Sequence, residues 1–238
     1  MTKHKAKSPT KGEKQYQAWI RDFKARGNER LGLMTSWAFH DDPKRLAFTF
    51  ARYKFVAKML GGCEHVLEAG CGDAFVSRLV VQEVKSLTAV DFDPAFVEDA
   101  NSRMSARWPF VCKQHDMLEG PVKGKFDAAY SLDVLEHIPQ KKERLFVENM
   151  IAPVSANGVV IVGMPSLQSQ TYASPQSKEG HINCKDQREF KALMQRYFHN
   201  VFMFSMNDEV VHTGYHAMSH YNLALCCNKK NRKNPARG

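Results

Sequence analysis

None of the six cysteines in this 238-residue chain forms a C-x-x-C pair, so the commonest thiolate-zinc and dithiol redox motifs are absent. No apolar run approaches the length needed to cross a bilayer. The start, MTKHKAKSPTKGEK, has a charged head but no apolar stretch behind it, which does not suit a secretory leader. These features read as a soluble, cytoplasmic protein with free thiols. No internal repeat is visible. Apolar residues make up 43% and charged residues 25%, which sets disorder, collagen and coiled coil aside.

Charge is also missing from the middle of the chain. The formal excess is +9, which at first invites a nucleic-acid reading. Residues 1–14 carry Lys3, Lys5, Lys7, Lys11 and Lys14 against Glu13. Residues 228–238 carry Lys229, Lys230, Arg232, Lys233 and Arg237 with no acid. Together these termini hold the whole excess, and residues 15–227 balance. We therefore expect basic flexible tails at 1–14 and 229–238 around a neutral body.

Between the tails, residues 15–28 and 43–60 have helical apolar spacing, with Asp42 and Pro43 as a start signal for the second. These predict a helical cap over 15–60. From residue 61 to 228, short apolar runs at 65–69, 86–91, 110–114, 127–131 and 158–164 replace that pattern. Helical stretches at 75–84, 94–104 and 141–151 lie between several of them, and another at 187–198 precedes runs at 201–206 and 221–227. Buried strands alternating with helices predict an α/β, doubly wound, mostly parallel sheet, its last two strands pairing antiparallel at one edge.

The first strand runs into Gly70-Cys71-Gly72, a turn that lets backbone approach a ligand beyond a strand's carboxyl end. The third glycine of a dinucleotide fingerprint would fall at 75, where Phe75 stands. That pattern fails. Asp91 ends the second strand 19 residues beyond Gly72, a spacing that suits the hydroxyls of a ribose. Asp93 reads as the cap of the following helix. After the third strand, Asp116 and Met117 are placed to meet an adenine.

With Glu68, Asp91, Asp116 and the run Phe126–Pro139 (FDAAYSLDVLEHIP), the chain resembles the class I S-adenosylmethionine-dependent methyltransferases. The resemblance covers about residues 61–228. It implies a Rossmann-like, mostly parallel seven-stranded sheet with the last strand antiparallel, and S-adenosylmethionine as cofactor. It further implies that Gly70, Cys71 and Gly72 approach the methionine part while Glu68 supports the turn. Asp91 would hold the ribose, Phe92 would flank the adenine, and Asp116 would meet its amine. Ser131 and Leu132 would lie beside the sulfonium. The family's further loop glycine is Ala74 here.

An oxygen acceptor benefits from a base or a metal. If Asp133, Glu136 and His137 start a helix, they share one face by i, i+3 and i+4 spacing. Three readings stand side by side. His137, with Glu136, acts as a base; Asp133, Glu136, His137 and His181 bind a divalent metal; or the group is structural, with Asp133 capping a helix. The metal arrangement resembles that of small-RNA 2′-O-methyltransferases and ubiquinone-pathway O-methyltransferases. His181 also precedes a capping box, Asp186 to Glu189. Trp37, Arg45, His181, His212 and His216 are substrate-contact candidates, with His40, Arg52, Tyr53, Lys54 and His220 nearby in sequence. The expected function is methyl transfer to a small-molecule hydroxyl, such as a sugar, glycan precursor or secondary metabolite. The alternatives are metal-assisted RNA 2′-O-methylation, with the tails binding nucleic acid, and a non-catalytic nucleotide-binding module. The sequence does not fix an oligomeric state.

Overall fold

The computed structural model describes residues 12–231; the basic residues at 1–11 and 232–238 lie outside them. Residues up to Leu31 form one unit, whose helix α1 (Gln17–Arg26) ends on Gly27, with its Arg26 paired to Asp22 and Glu29. The second unit begins at Gly32. It opens with α2 (Leu33–Asp41) and α3 (Lys44–Met59). The expected 15–60 cap is thus divided between two units.

The sheet and its helices then follow in order. They are β1 (His65–Ala69), α4 (Arg78–Val81), β2 (Ser86–Asp91), α5 (Pro94–Ser102), β3 (Val111–Gln114) and β4 (Phe126–Leu132). Next come α6 (Gln140–Ile151), β5 (Val154–Pro165), α7 (Pro175–Gly180) and α8 (Gln187–Gln195). The chain closes with β6 (Phe198–Asn207), β7 (Val210–His212) and β8 (Tyr221–Lys229). The strand order is β3-β2-β1-β4-β5-β8-β6-β7. The five strands β1 to β5 pair parallel, and β8 is inserted antiparallel between β5 and β6. The sheet is doubly wound as expected, with the three-residue β7 as an eighth strand paired to β6.

Apolar side chains leave both faces of the sheet, which is why its strands read as continuous apolar runs. One face packs Leu67, Ala129 and Val160 under Phe146, Met150, Phe190 and Met194 of α6 and α8. The other packs Val66, Tyr130 and Ile161 under Tyr53 and Val56 of α3 and Leu60 just after it, with Val80 of α4. Since β1 leads outward to β2 and β3 on one side and abuts β4 and β5 on the other, the crevice beyond β1 and β4 is the switch point where ligands bind.

Several elements differ from expectation. The helix expected over 75–84 contracts to four residues; Gly62 donates to the Glu83 carbonyl and Lys85 to that of Cys63, which holds residues 83–85 out of the helix just before β2. The α2 helix has no apolar stripe to announce it. It is held from outside: Thr35 gives both its amide (2.7 Å) and its hydroxyl (3.1 Å) to the buried Asp73 carboxylate. At the far end β8 extends through Lys229, whose ammonium binds the carbonyls of Ile151 and Val154, while Lys230 binds that of Gln195. Two cations expected in a free tail therefore sit at the C-termini of α6 and α8, where the helix dipoles favour positive charge. Among the described residues, no helix is long and apolar enough to cross a membrane.

Candidate active site

The turn after β1 is built on backbone conformations that side chains resist. Gly70 (φ +78°) and Gly72 (φ +52°) lie in the left-handed region, and a Cβ at Gly70 would overlap Val134. Ala74 (φ +51°), where the family pattern has glycine, adopts the same conformation. The turn is tied to β2 by the Gly70 and Cys71 amides, both donating to the Val90 carbonyl (2.8 and 3.0 Å). Gly70→Ala combines strain with overlap and is expected to cost at least about 2 kcal/mol of stability. A denaturant midpoint equal to that of the wild type would contradict this.

Asp91 completes the turn. Its carboxylate accepts from the Gly72 amide (2.8 Å) and the Asp93 amide (3.0 Å), and burial raises its pKa. Asp93 caps α5 through the Ala95 amide, as the sequence suggests. Beneath the turn the buried Glu68 accepts from the Tyr53 hydroxyl at 2.7 Å. Phe92 is exposed, Met117 is buried, and the Asp116 carboxylate accepts from the Leu118 amide at 2.7 Å. Ser131 and Leu132 are buried, and the Ser131 hydroxyl donates across the sheet to the Ala69 carbonyl. Asp73 was given no role by its sequence context, yet it joins this turn to α2. The only hint was an acid directly after Gly72.

Beyond β4 the chain does not start an α-helix. Asp133 takes φ +58°, and Leu135–His137 forms a single 3-10 turn before Pro139. The i, i+3, i+4 face is therefore lost. Arg52 of α3 donates to both Asp133 oxygens at 2.8 Å, and its guanidinium lies 3.9 Å from the Tyr221 ring centroid. Arg52 and Tyr53, set beside the substrate-contact candidates in the sequence, are turned inward onto the carboxylates of Asp133 and Glu68.

With Asp133 held by Arg52, three ligand-type residues converge. Glu136, His137 and His181 each offer an atom, all within 4.8 Å of one another. Glu136 is fully buried with no partner on either oxygen, and burial followed by the Asp133 charge pushes its pKa well up. His137 Nδ1 lies 2.8 Å from the Gly180 carbonyl and must donate to it, so that in the neutral ring the lone pair is on Nε2, 4.0 Å from Glu136. His181 Nδ1 faces Gln170 Oε1 at 2.9 Å. Burial, then His137, holds its pKa below the usual value, so it is neutral near pH 7.

A network unseen in the sequence sets this geometry. The Asn183 amide nitrogen binds the Glu136 carbonyl (2.9 Å), and its side chain donates to Glu143 (2.9 Å). Lys185 bridges Asn183 (3.0 Å) and Glu143 (2.6 Å) in a buried pair. The expected Asp186–Glu189 capping box then starts α8. Next to His137 and His181 opens a cavity of about 440 Å3, also lined by Trp37, Arg45, Ser174 and Gln176. Arg45 stands 5.3 Å from the Trp37 ring centroid and pairs with Asp41. His212 does not reach this cavity's lining: its two nitrogens meet Asn207 (2.8 Å) and the Gly214 amide (2.9 Å). His216 begins a separate 3-10 turn, 3.9 Å from Asp186, and the His220 ring packs on Phe48.

Known proteins share this architecture. Residues 66–158 match the family described as a methyltransferase domain. A mitochondrial ubiquinone biosynthesis O-methyltransferase of Schizosaccharomyces pombe is 29% identical over 102 residues, which are 41% of this chain and 36% of that protein. The chain spans roughly a third to a half of the length of the curated relatives it matches. Among solved structures, the methyltransferase domain of bacterial CtHen1-C superposes with a TM-score of 0.63 at 17% identity, covering 76% of this chain and 98% of that one. The N-methyltransferase NodS of Bradyrhizobium japonicum, bound to S-adenosylhomocysteine, gives 0.58 at 18% identity, covering 91% and 99%. The segment 66–158 is similar to a methyltransferase domain, and the superpositions show that the chain shares the fold of these methyltransferases.

Proposed function

We propose that this protein moves the methyl group of S-adenosylmethionine to a hydroxyl of a small-molecule acceptor. The observation that carries the reading is the convergence of Glu136, His137 and His181 just beyond β4, at the switch point and beside the cavity. On this reading the cofactor lies against Gly70, Cys71 and Gly72, with Asp91 toward the ribose and Phe92, Asp116 and Met117 around the adenine. Methyl transfer from a sulfonium is an in-line displacement, so the protein's main tasks are alignment and exclusion of water. An alcohol must also lose its proton, and the His137 Nε2 lone pair accepts it. The Gly180 carbonyl fixes the tautomer that makes this nitrogen free. The cavity volume suits a small ligand. The balanced charge of residues 15–227 and the O-methyltransferase named in yeast support the same choice. Methylation of purified RNA with no transfer to hydroxylated small molecules would overturn the acceptor class.

A second reading is favoured by the orphaned Glu136 carboxylate: Glu136, His137 and His181 hold a divalent cation. Two imidazoles and a carboxylate suit such an ion, and both imidazoles already use Nδ1 on a carbonyl oxygen, as metal-bound histidines do. A cation there would acidify and orient an acceptor hydroxyl. Asp133 stays with Arg52 and is not part of this set. Chelation followed by desalting is expected to lower turnover about tenfold or more, with recovery on adding back a divalent ion. Unchanged turnover would remove the cation and leave His137 as base.

A further inference from the structure

We propose that Cys71 and Cys112 form a reversible disulfide when the protein meets a hydroperoxide, and that this bond closes the cofactor turn to its ligand. Their sulfurs lie 4.0 Å apart as free thiols, the first in the glycine turn and the second on β3. A disulfide needs about 2.05 Å, so the two must approach by roughly 2 Å. Both lie in a minor core under α5, where Ala74, Ala89 and Ala100 pack around them beside the larger Val97, Met104 and Phe110.

The route to the oxidant is also visible. The four-residue β3 is an edge strand, paired only with β2. Local opening of this edge strand, whose Cys112 carbonyl is held by the Asn101 side chain, would bring the buried Cys112 to a small peroxide without global unfolding. Contact with Cys71 lowers the pKa of Cys112, while Cys71 is raised, so Cys112 supplies the first thiolate. That thiolate attacks the peroxide oxygen, giving a sulfenic acid and releasing an alcohol or water. The Cys71 thiol then attacks the sulfenic sulfur, forming the S–S bond and expelling water. Both thiols are oxidised by two electrons in total, and one hydroperoxide is reduced. The new bond pulls Cys71, between the two left-handed glycines, toward β3. The effect on ligand rests on the cofactor lying against this turn; the disulfide itself does not.

Intact-mass measurement and non-reducing tryptic mapping of the full chain, with and without hydrogen peroxide, test this. A loss of 2 Da is expected, with peptide 59–78 linked to 108–113. The link should be reversed by dithiothreitol, absent in Cys112→Ser and retained in Cys63→Ser. The second variant matters because Cys63 shares the first peptide. S-adenosylhomocysteine at ten times its Kd should slow linkage about tenfold. Calorimetry should show its affinity falling about tenfold or more in the linked protein and recovering on reduction. Oxidation of Cys63 or Cys227 with no Cys71–Cys112 link overturns the proposal, as does a link that leaves affinity unchanged. Reduced protein that ignores S-adenosylhomocysteine would instead sink the cofactor reading, and the mass shift would still report the bond.

Discussion

His137→Ala is expected to lower turnover by about 10²- to 10⁴-fold while leaving S-adenosylhomocysteine affinity within about twofold. The separation follows from where the side chain stands. Its Nδ1 is committed to the Gly180 carbonyl and its Nε2 faces Glu136, on the acceptor side of the crevice. The glycine turn and Asp91 make their own hydrogen bonds and do not use it. In either proposed role, base or cation ligand, the residue would serve the acceptor oxygen, so its loss would fall on kcat. His181→Ala distinguishes the two roles. Under the cation reading it matches the His137 defect and abolishes binding of the metal ion. Under the base reading it costs far less. Undiminished turnover in His137→Ala would overturn both.

The parts legible in the sequence are those whose stability is local or whose burial is complete. β1, β2, β4 and β5 show as apolar runs because both faces are covered, α3 shows by its apolar stripe, and α8 carries both a stripe and a capping box in its own residues. The parts that escaped depend on distant partners. The α2 helix is held by Asp73, 38 residues away from Thr35, and no local pattern could show it. The same holds at the site. Glu136, His137 and His181 were picked out by residue type, but Asp133 was grouped with them on helical spacing. Arg52, 81 residues earlier, draws Asp133 aside. Pro139 and the left-handed backbone at Asp133 reduce the expected helix to one 3-10 turn. The orienting partners Gln170, Gly180 and Asn183 sit in a five-residue 3-10 turn, at the end of the six-residue α7 and in the loop after it, segments too short to carry a period.

Glu68→Gln is expected to stabilise the protein above pH 8 by roughly 1–3 kcal/mol and to flatten its stability profile between about pH 4.5 and 7. Glu68 is buried at the end of β1, and that burial pushes its pKa up to about 7 from an ordinary 4.5. The hydroxyls of Ser77, Tyr53 and Tyr130 pull the other way and only partly offset it. A carboxyl whose folded pKa lies above its unfolded value favours the fold fully below the unfolded pKa. That contribution is lost as pH rises through the folded one. Wild-type stability from this group should therefore fall across the window from about 4.5 to 7. Glutamine never ionises, so its cost does not grow. Its carbonyl keeps the bond from the Tyr53 hydroxyl, and its amide can donate to Ser77 Oγ or Tyr130 Oη, both buried beside it. Urea denaturation of both proteins from pH 5 to pH 8.5 checks this. The histidines titrate in the same range but are common to both chains, so they cancel in the difference. Parallel curves would mean that Glu68 stays ionised in the fold, and the polar cluster beneath the cofactor turn would then be charged at neutral pH.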